Sequence, residues 1–302
     1  MITTQSGVLL IDKPVGPSSA QVVQRVKNIL GAKKVGHLGT LDPFASGLLL
    51  IGVNEGTKIA DIFLGGTKCY RGVMVLGVET DTQDGTGKVI ATKAVGPVGE
   101  AELSRLEEKF TGEIQQVPPM FSALKKDGVR LYQLARQGKE VHREPRAIRI
   151  DALTLRQASD REIEFEVTCS RGTYVRTLAA DMGQELGCGA HLKSLRRTAC
   201  DHLSVDQALT PDQLAERSAA GKTPLLSLRT ALSHLPAVEW RSQLIARLRL
   251  GQQEVLAQLG RPRAGEKLLG VLDPRGALVA LVEWSDEDVT AGRWRLVRIF
   301  RE

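Results

Sequence analysis

One aspartate stands in a loop whose sequence could hold a chemically active carboxylate. Asp42 lies in VGHLGTLDPFASGLLLIGV (residues 35–53) and precedes Pro43, which favours extended or turn geometry at the residue before it. The surrounding glycines allow close backbone approaches, and LLLIGV has the composition of a strand buried on both faces. A rigid strand would therefore hold the loop. Asp42 could have a functional role, or it could cap a turn as aspartate commonly does, and its spacing alone leaves both readings open.

Two arginines stand at the start of a predicted helix. In SRGTYVRTLAADMGQELG (residues 170–187) an apolar stripe predicts a helix, and Arg171 and Arg176 stand at its beginning. The helix macrodipole disfavours a cation at this end by about 0.3–1 kcal/mol. A cation that stands at this unfavourable position without an evident gain in stability indicates a functional site. The alternative is a pair of solvent-exposed arginines.

A basic segment follows the middle of the chain. Residues 118–146, PPMFSALKKDGVRLYQLARQGKEVHREPR, carry more Lys and Arg than Asp and Glu, interleaved with Phe121 and Tyr132. Cations that bind phosphates and rings that stack on bases are what a nucleic-acid-binding arm requires. The alternative is an exposed, solvated helix and loop.

The sequence shows no signature of a cofactor or metal site. HExxH, Walker and GxGxxG motifs are absent, and the cysteines at positions 69, 169, 188 and 200 form no CxxC pair. We therefore expect reduced, structural cysteines, no cofactor and no metal.

Length and charge narrow the class of protein. The 302 residues can form one large domain with a sizeable core and a small second domain. A net charge of +6 and a pI near 9.2 favour a polyanionic partner. The first residues, MITTQSGVLLIDKPVG, lack a basic segment followed by a long apolar one, and no stretch approaches a membrane span, so we expect a cytoplasmic protein without a membrane partner.

The elements that would position these residues can be read along the chain. GVLLID predicts a strand, Ser18 or Ser19 caps the helix after it, and residues 57–64 could form a short helix. YRGVMVLGV and KVIATKAV flank TDTQDGTG as a hairpin whose Asp81 and Asp84 would cap the turn. A helix is predicted over residues 100–110, and AIRIDALTLRQA should pair with REIEFEVTCS. Beyond residue 236, EVLAQL, KLLGVLD, ALVALVEW and RWRLVRIF predict a small β-rich domain.

Five blocks in this order resemble the bacterial tRNA pseudouridine-55 synthase family. They span about residues 7–200 and are GVLLIDKPVGPSS, GHLGTLDPFASGLL, KCYRGVMVLGVETDTQDGTG, PPMFSALKKDGVRLYQLARQG and CSRGTYVRTLAADMGQELGCGAHLKSLRR. The resemblance implies an α+β fold with a mixed, largely antiparallel central sheet flanked by helices. It places the catalytic domain at residues 1–235, a mobile RNA-binding thumb at 118–146, and a small β-rich PUA-like domain at 236–302.

The resemblance also implies roles for individual residues. Asp42 matches the catalytic aspartate, and a carboxylate beneath an RNA base needs a cation to stay ionised, which Arg176 would supply. Tyr70 matches a tyrosine that stacks on the target uracil and is the leading candidate for the base that removes a proton. The resemblance also places Tyr174 and Leu195 in the pocket, with ordinary packing as the alternative for each lining residue. His37 would occupy the space that the base vacates. Lys13 and the cations of residues 125–146 would contact phosphate.

The implied reaction is the isomerisation of uridine 55 in the T loop of tRNA, on a flipped-out base. It requires no redox cofactor, metal, energy source, protein partner or guide RNA. Three other readings remain open. They are an RNA-binding protein without catalysis, a glycosidase, for which the Asp42 motif lacks the second acid, and a guide-RNA-dependent modifier of ribosomal RNA.

Overall fold

The computed structural model describes residues 3–263, 265–286 and 292–301, in which helices and strands alternate along the chain. In chain order they are β1 (Gly7–Lys13), α1 (Ser19–Leu30), β2 (Val35–His37), β3 (Ser46–Val53), α2 (Ala60–Gly65), β4 (Lys68–Leu76), β5 (Val78–Thr80), β6 (Val89–Thr92), α3 (Glu100–Phe110), β7 (Gly112–Gln116), β8 (Lys125–Lys126), β9 (Val129–Arg130), α4 (Leu131–Arg136), β10 (Arg146–Gln157), β11 (Glu162–Cys169), α5 (Val175–Glu185), β12 (Ala190–Cys200), β13 (Leu203–Ser204), α6 (Pro211–Ala219), α7 (Leu228–Ala231), β14 (Ala237–Glu239), α8 (Ser242–Arg249), β15 (Leu268–Leu272), β16 (Leu278–Ser285) and β17 (Arg293–Ile299).

A large sheet forms the centre of the molecule. Its strand order is β1-β3-β12-β4-β11-β10-β7, with β2 added beside β3 and β13 beside β12. Neighbouring strands are antiparallel except β3 and β12, which run parallel and pair Ser46 with Arg196 and Gly47 with Arg197. The expected mixed, largely antiparallel sheet is confirmed.

The strands follow the alternation of apolar residues. In β10, Ile148 and Ile150 are buried before a register shift and Leu153 and Leu155 after it, so a bulge keeps both pairs on the core face. β3 is buried along seven of its eight residues because both of its faces are covered. Its odd-numbered apolar residues join the core beneath α1, α3 and α5, and Leu48 and Leu50 join a second core on the opposite face.

The C-terminal residues build a four-stranded sheet with the order β14-β15-β16-β17. It has its own core around Trp240 and Trp294. Leu281 and Phe300 also share the second core with Leu48 of the large sheet. Lys58, in the turn that follows β3, donates to the carbonyl of Ile299 of β17 at 3.0 Å and adds a polar contact to the C-terminal sheet. Among the described residues no helix is long and apolar enough to cross a membrane.

Three local predictions were wrong in part. EVLAQL was expected as a strand, but Gln253–Leu259 is a 3₁₀ helix in which the adjacent Val255 and Leu256 are both buried, a pattern that a half-buried strand excludes. The hairpin is limited to β5 and β6, since β4 pairs with β11 and β12 instead. The helix expected at 57–64 is a 3₁₀ turn, Asn54–Ile59, followed by α2.

Candidate active site

The Asp42 loop is fixed at both ends. Ser19, the first residue of α1, donates through its hydroxyl to the carbonyl of Leu41 and accepts from the amide of Leu41, both at 2.8 Å. Gly47 has φ +102°, and a Cβ there would lie 2.2 Å from the carbonyl oxygen of Arg197, so only glycine allows β3 to approach β12 this closely. Asp42 therefore projects from a restrained turn, and its side chain is 41% exposed.

Arg176 lies directly against Asp42. Its Nε is 2.9 Å from Oδ2 of Asp42, and its own side chain is only 6% exposed. Nη1 donates to the carbonyl of Thr82 at 2.8 Å, and Nη2 donates to the carbonyl of Phe121 at 2.9 Å. The guanidinium thus joins the Asp42 loop, the turn after β5 and the first part of segment 118–146. These contacts offset the unfavourable position of a cation in the first turn of α5.

A second acid, Asp84, faces the same guanidinium. Its Oδ2 lies 3.5 Å from Nη1 of Arg176, and its side chain is almost completely buried. Its Oδ1 accepts from the hydroxyl of Thr82 at 2.8 Å and from the amide of Thr86 at 2.9 Å. Asp84 therefore caps the turn, as the sequence predicted, and also pairs with Arg176, which the sequence did not reveal.

Tyr70 lies on β4 between Val167 of β11 and Arg197 of β12. Burial raises the pKa of Tyr70 to about 12, and the positive charge of Arg197 opposes that rise. The hydroxyl is therefore a neutral phenol near pH 7 in the free protein. The guanidinium of Arg197 also donates to the carbonyls of Gly39 and Thr40, which links Tyr70 to the Asp42 loop.

Tyr174 occupies the N-cap of α5, two residues before Arg176. Its amide donates to Oε1 of Gln116 at 2.8 Å, and its carbonyl accepts from Nε2 of the same side chain at 3.2 Å. Burial raises the pKa of Tyr174, while the charge of nearby Arg176 lowers it. The buried Gln116 side chain thus holds Tyr174 beside the Asp42–Arg176 pair.

Leu195 and His37 lie on strands beside these residues. Leu195 is buried on β12 opposite Gly72. His37 ends β2 and is half-buried, and its Nδ1 has no hydrogen-bond partner among the described residues. Burial lowers the pKa of His37, and the charge of Arg197 lowers it further, so its imidazole is neutral near pH 7.

The prediction that Lys13 contacts phosphate is wrong, because this structure buries its side chain. Its side chain has no exposed surface, and its ammonium donates to the carbonyls of Pro14, Pro17 and Pro43 at 2.8, 2.9 and 3.3 Å. Burial lowers the pKa of Lys13 to about 8, and the charge of Asp42 partly opposes this. Lys13 therefore fastens the loop after β1 to the residue that follows Asp42.

Comparison with known proteins identifies the family. Residues 27–175 match the N-terminal domain of the TruB family pseudouridylate synthases, and residues 176–234 match the C-terminal domain of tRNA pseudouridylate synthase B. This chain belongs to the TruB family. A tRNA pseudouridine synthase B from Geobacter sulfurreducens is 43% identical over 97% of this chain and 99% of its own length. Another, from Burkholderia mallei (strain NCTC 10247), is 47% identical over 86% of each chain.

Solved structures support the same fold. A chain of a crystallised Cbf5-Nop10-Gar1 complex superposes with a TM-score of 0.72 at 26% identity, over 98% of this chain and 85% of that chain. A chain of an H/ACA RNP bound to a substrate RNA containing 2'-deoxyuridine gives a TM-score of 0.70 at 23% identity, which shows the fold alone. The family expected from the five sequence blocks is thus confirmed.

The TruB-family segment 118–146 presents its charge to solvent. β8 and β9 form a short hairpin that α4 follows, and most of the basic side chains are exposed, namely Lys125, Lys126, Arg130, Arg136, Lys139 and Arg146. The guanidinium of Arg136 lies 5.5 Å from the centre of the Tyr132 ring. Binding of RNA by this segment remains a prediction.

A cavity of about 590 Å³ lies beside the Asp42 loop. It is lined by Phe44 and Ser46, which follow Asp42, by Leu195, and by residues of β4, β10 and β11. Within the described part of the chain, no group of three or more His, Cys, Asp or Glu side chains could hold a metal ion.

Three residues of this site were missed by sequence reasoning. Asp84, Gln116 and Arg197 are buried polar groups that contact Arg176, Tyr174 and the Asp42 loop. Each is separated in sequence from the residue that it contacts, so spacing carries no signal for them. The adjacent arginines at 196 and 197 were visible as a pair, but only the fold shows that Arg196 is partly exposed and Arg197 is buried.

Proposed function

We propose that this protein converts uridine 55 in the T loop of tRNA to pseudouridine, with Asp42 as the nucleophile on a flipped-out base and without a cofactor. Membership of the TruB family and the names of its relatives support pseudouridylation of tRNA. The observation that carries the assignment of Asp42 is its 2.9 Å ion pair with a buried arginine.

The pair divides into a fixed cation and an accessible anion. Arg176 is held by the carbonyls of Thr82 and Phe121 and by Asp84, so its position does not depend on Asp42. Only Oδ2 of Asp42 contacts the guanidinium, and its Oδ1 has no hydrogen bond within the described residues. A carboxylate held in this way is oriented by the guanidinium and keeps one oxygen for reaction.

The reaction rearranges one nucleotide and conserves its atoms. The bond from N1 of uracil to C1′ of ribose breaks, the base turns, a bond from C5 to C1′ forms, the proton on C5 leaves, and N1 takes up a proton. Asp42 can act at C6 of the base or at C1′, and either route divides a difficult step into two easier ones. The balance of the reaction requires no oxidant, reductant or energy source.

The neighbouring residues then bind the base. Tyr70 stacks on the uracil, Tyr174 and Leu195 line its pocket, and Tyr70 is the candidate for removal of the C5 proton. Extrusion of the base from the folded loop costs a few kcal/mol. The neutral imidazole of His37 fills the vacated space, because an uncharged ring stacks there without the cost of burying a cation.

Phosphate contacts come from the exposed cations of segment 118–146. Lys125, Lys126 and Arg130 cluster at its hairpin and face solvent, where they can bind the T-stem backbone without any guide RNA or protein partner.

The test uses a T-stem-loop RNA labelled with tritium at C5 of uridine. The protein alone should release tritium and form one carbon-linked nucleoside at position 55, whereas an RNA with cytidine at 55 should give none. D42N should abolish turnover and keep RNA affinity within a few-fold, while D212N, a change on the exposed face of α6, should keep both. Binding without any pseudouridine would contradict the enzyme and favour a non-catalytic RNA-binding protein. Activity only with an added guide RNA would contradict the stand-alone reading.

A further inference from the structure

The interior of the protein contains a cation without an acidic partner. Arg197 on β12 is 2% exposed, and no carboxylate forms an ion pair with it among the described residues. Its neighbour Arg196 provides the contrast, since Arg196 is partly exposed and donates to both oxygens of Asp12 at 2.9 and 2.7 Å. A buried, unpaired charge is costly. Arg197 therefore calls for a functional explanation that Arg196 does not.

The guanidinium spans the two sides of the Asp42 loop. Nε donates to the carbonyl of Leu48 at 2.7 Å, Nη1 to that of Thr40 at 3.2 Å, and Nη2 to that of Gly39 at 3.3 Å. Asp42 lies between these carbonyls in the chain. Three of the five N–H groups of a guanidinium are used in this way. The two that remain, one on each Nη, are available to another acceptor.

Tyr70 lies where such an acceptor is needed. It stands directly opposite Arg197 in the antiparallel pair of β4 and β12, so both side chains project from the same face of the sheet. Burial raises the pKa of Tyr70 and the positive charge of Arg197 opposes that rise, so the guanidinium acts on the phenol electrostatically. One side chain thus contacts the loop of the proposed nucleophile and lies beside the proposed base.

We propose that Arg197 is a positioning residue, which holds the Tyr70 hydroxyl and the Asp42 loop on one guanidinium and stabilises negative charge on the phenolic oxygen. This inference rests on the roles proposed above for Asp42 and Tyr70. It explains why the buried cation has carbonyls and a phenol, rather than a carboxylate, as its partners. A carboxylate would neutralise the charge that the phenolic oxygen needs.

The first experiment measures the pKa of the phenol at position 70 in the absence of RNA. A difluorotyrosine, whose phenol is more acidic than that of tyrosine, is placed at position 70 and titrated by fluorine NMR. R197M should raise its pKa by about one unit or more, because an opposite charge at this range has been removed. R197K keeps the charge and should stay near the parent, and R196M should leave the titration unchanged. An unchanged titration in R197M would overturn the electrostatic part of the proposal.

The second experiment measures turnover on the labelled T-stem-loop. R197M should lower kcat at least tenfold with KM within twofold, R197K should recover part of the loss, and R196M should match the parent. Thermal unfolding is recorded for each variant. Should R197M fail to fold, the kcat of R197K decides whether the proposal holds. Equal losses in R197M and R196M would overturn the positioning role. Because the titration needs no RNA, an inactive parent protein would refute the proposed function and leave the test of Arg197 intact.

Discussion

Replacing Asp84 by asparagine tests whether Arg176 depends on its second acid. The amide side chain of D84N would keep an oxygen for Thr82 and Thr86, so the turn should survive. Its nitrogen, however, would face Nη1 of Arg176, where the native carboxylate oxygen lies 3.5 Å away. The substitution therefore removes one charge and sets two donors against each other at a buried position.

The size of the effect follows from the distance. Two unit charges 3.5 Å apart attract by about 5 kcal/mol at an effective dielectric constant of about 20. Arg176 retains Asp42 and two carbonyls, so we expect D84N to lose about half of this, roughly 2–3 kcal/mol of unfolding free energy. If the same loss reaches the chemical step, kcat falls about 30- to 160-fold. KM should change little, because Asp84 is buried away from RNA.

The assay combines single-turnover tritium release with urea unfolding. D81N is the matched control, because Asp81 lies in the same turn, is exposed, and accepts from the amide of Lys88 at 2.8 Å. It should change the unfolding free energy by less than about 0.5 kcal/mol and leave kcat unchanged. A folded D84N protein with the parental rate would refute the view that Arg176 needs two acids. Equal effects of D81N and D84N would assign the loss to the turn.

Three further predictions concern other parts of the site. Q116L should cost about 1–3 kcal/mol in urea unfolding, because it leaves the Tyr174 amide without an acceptor, whereas Q115L on the exposed neighbour should cost little. Changing Lys125 and Lys126 to alanine should weaken tRNA binding and flatten its dependence on salt, and a parental salt slope in filter binding would count against phosphate contacts there. The pKa of Lys13 is lowered to about 8 in the folded state, so unfolded chains bind more protons above that pH. The stability of the parent relative to K13M should therefore rise between about pH 8 and 10.5 in urea unfolding, and a flat difference would contradict the burial of a charged lysine.

The sequence predicted those parts of the fold that repeat a local pattern. The alternation in residues 147–158 and 161–170 predicted the β10–β11 pair, and Ser18, one of the two serines expected to cap α1, is its N-cap. EVLAQL misled because a short apolar run has the same composition in a strand and in a 3₁₀ turn. Whether it pairs depends on a partner strand that local sequence does not specify.

In the site, too, the sequence predicted the residues that stand in a local pattern and missed those that depend on tertiary contacts. Asp42 stood out through its glycine-rich loop, and Arg176 through a cation placed against the helix dipole, and the structure brings these two together. Lys13 was misread because a lysine in a loop sequence gives no sign that three carbonyls will bury it. Asp84 had a sufficient local explanation as a turn cap. Only tertiary contact reveals its second partner.

The parallel pair of β3 and β12 explains why the site forms in the middle of the sheet. β3 begins at Ser46, immediately after the Asp42 loop, and this first residue lies beside Arg196, deep within β12. Gly47 then permits the backbones to touch, so the loop is placed over Arg197 and the neighbouring Tyr70 of β4. α5 precedes β12 in the chain and packs against the same core, which brings Arg176 to Asp42. An antiparallel β3 would carry the loop to the opposite end of the strand, away from both arginines, so this pairing is the feature of the fold on which the proposed chemistry depends.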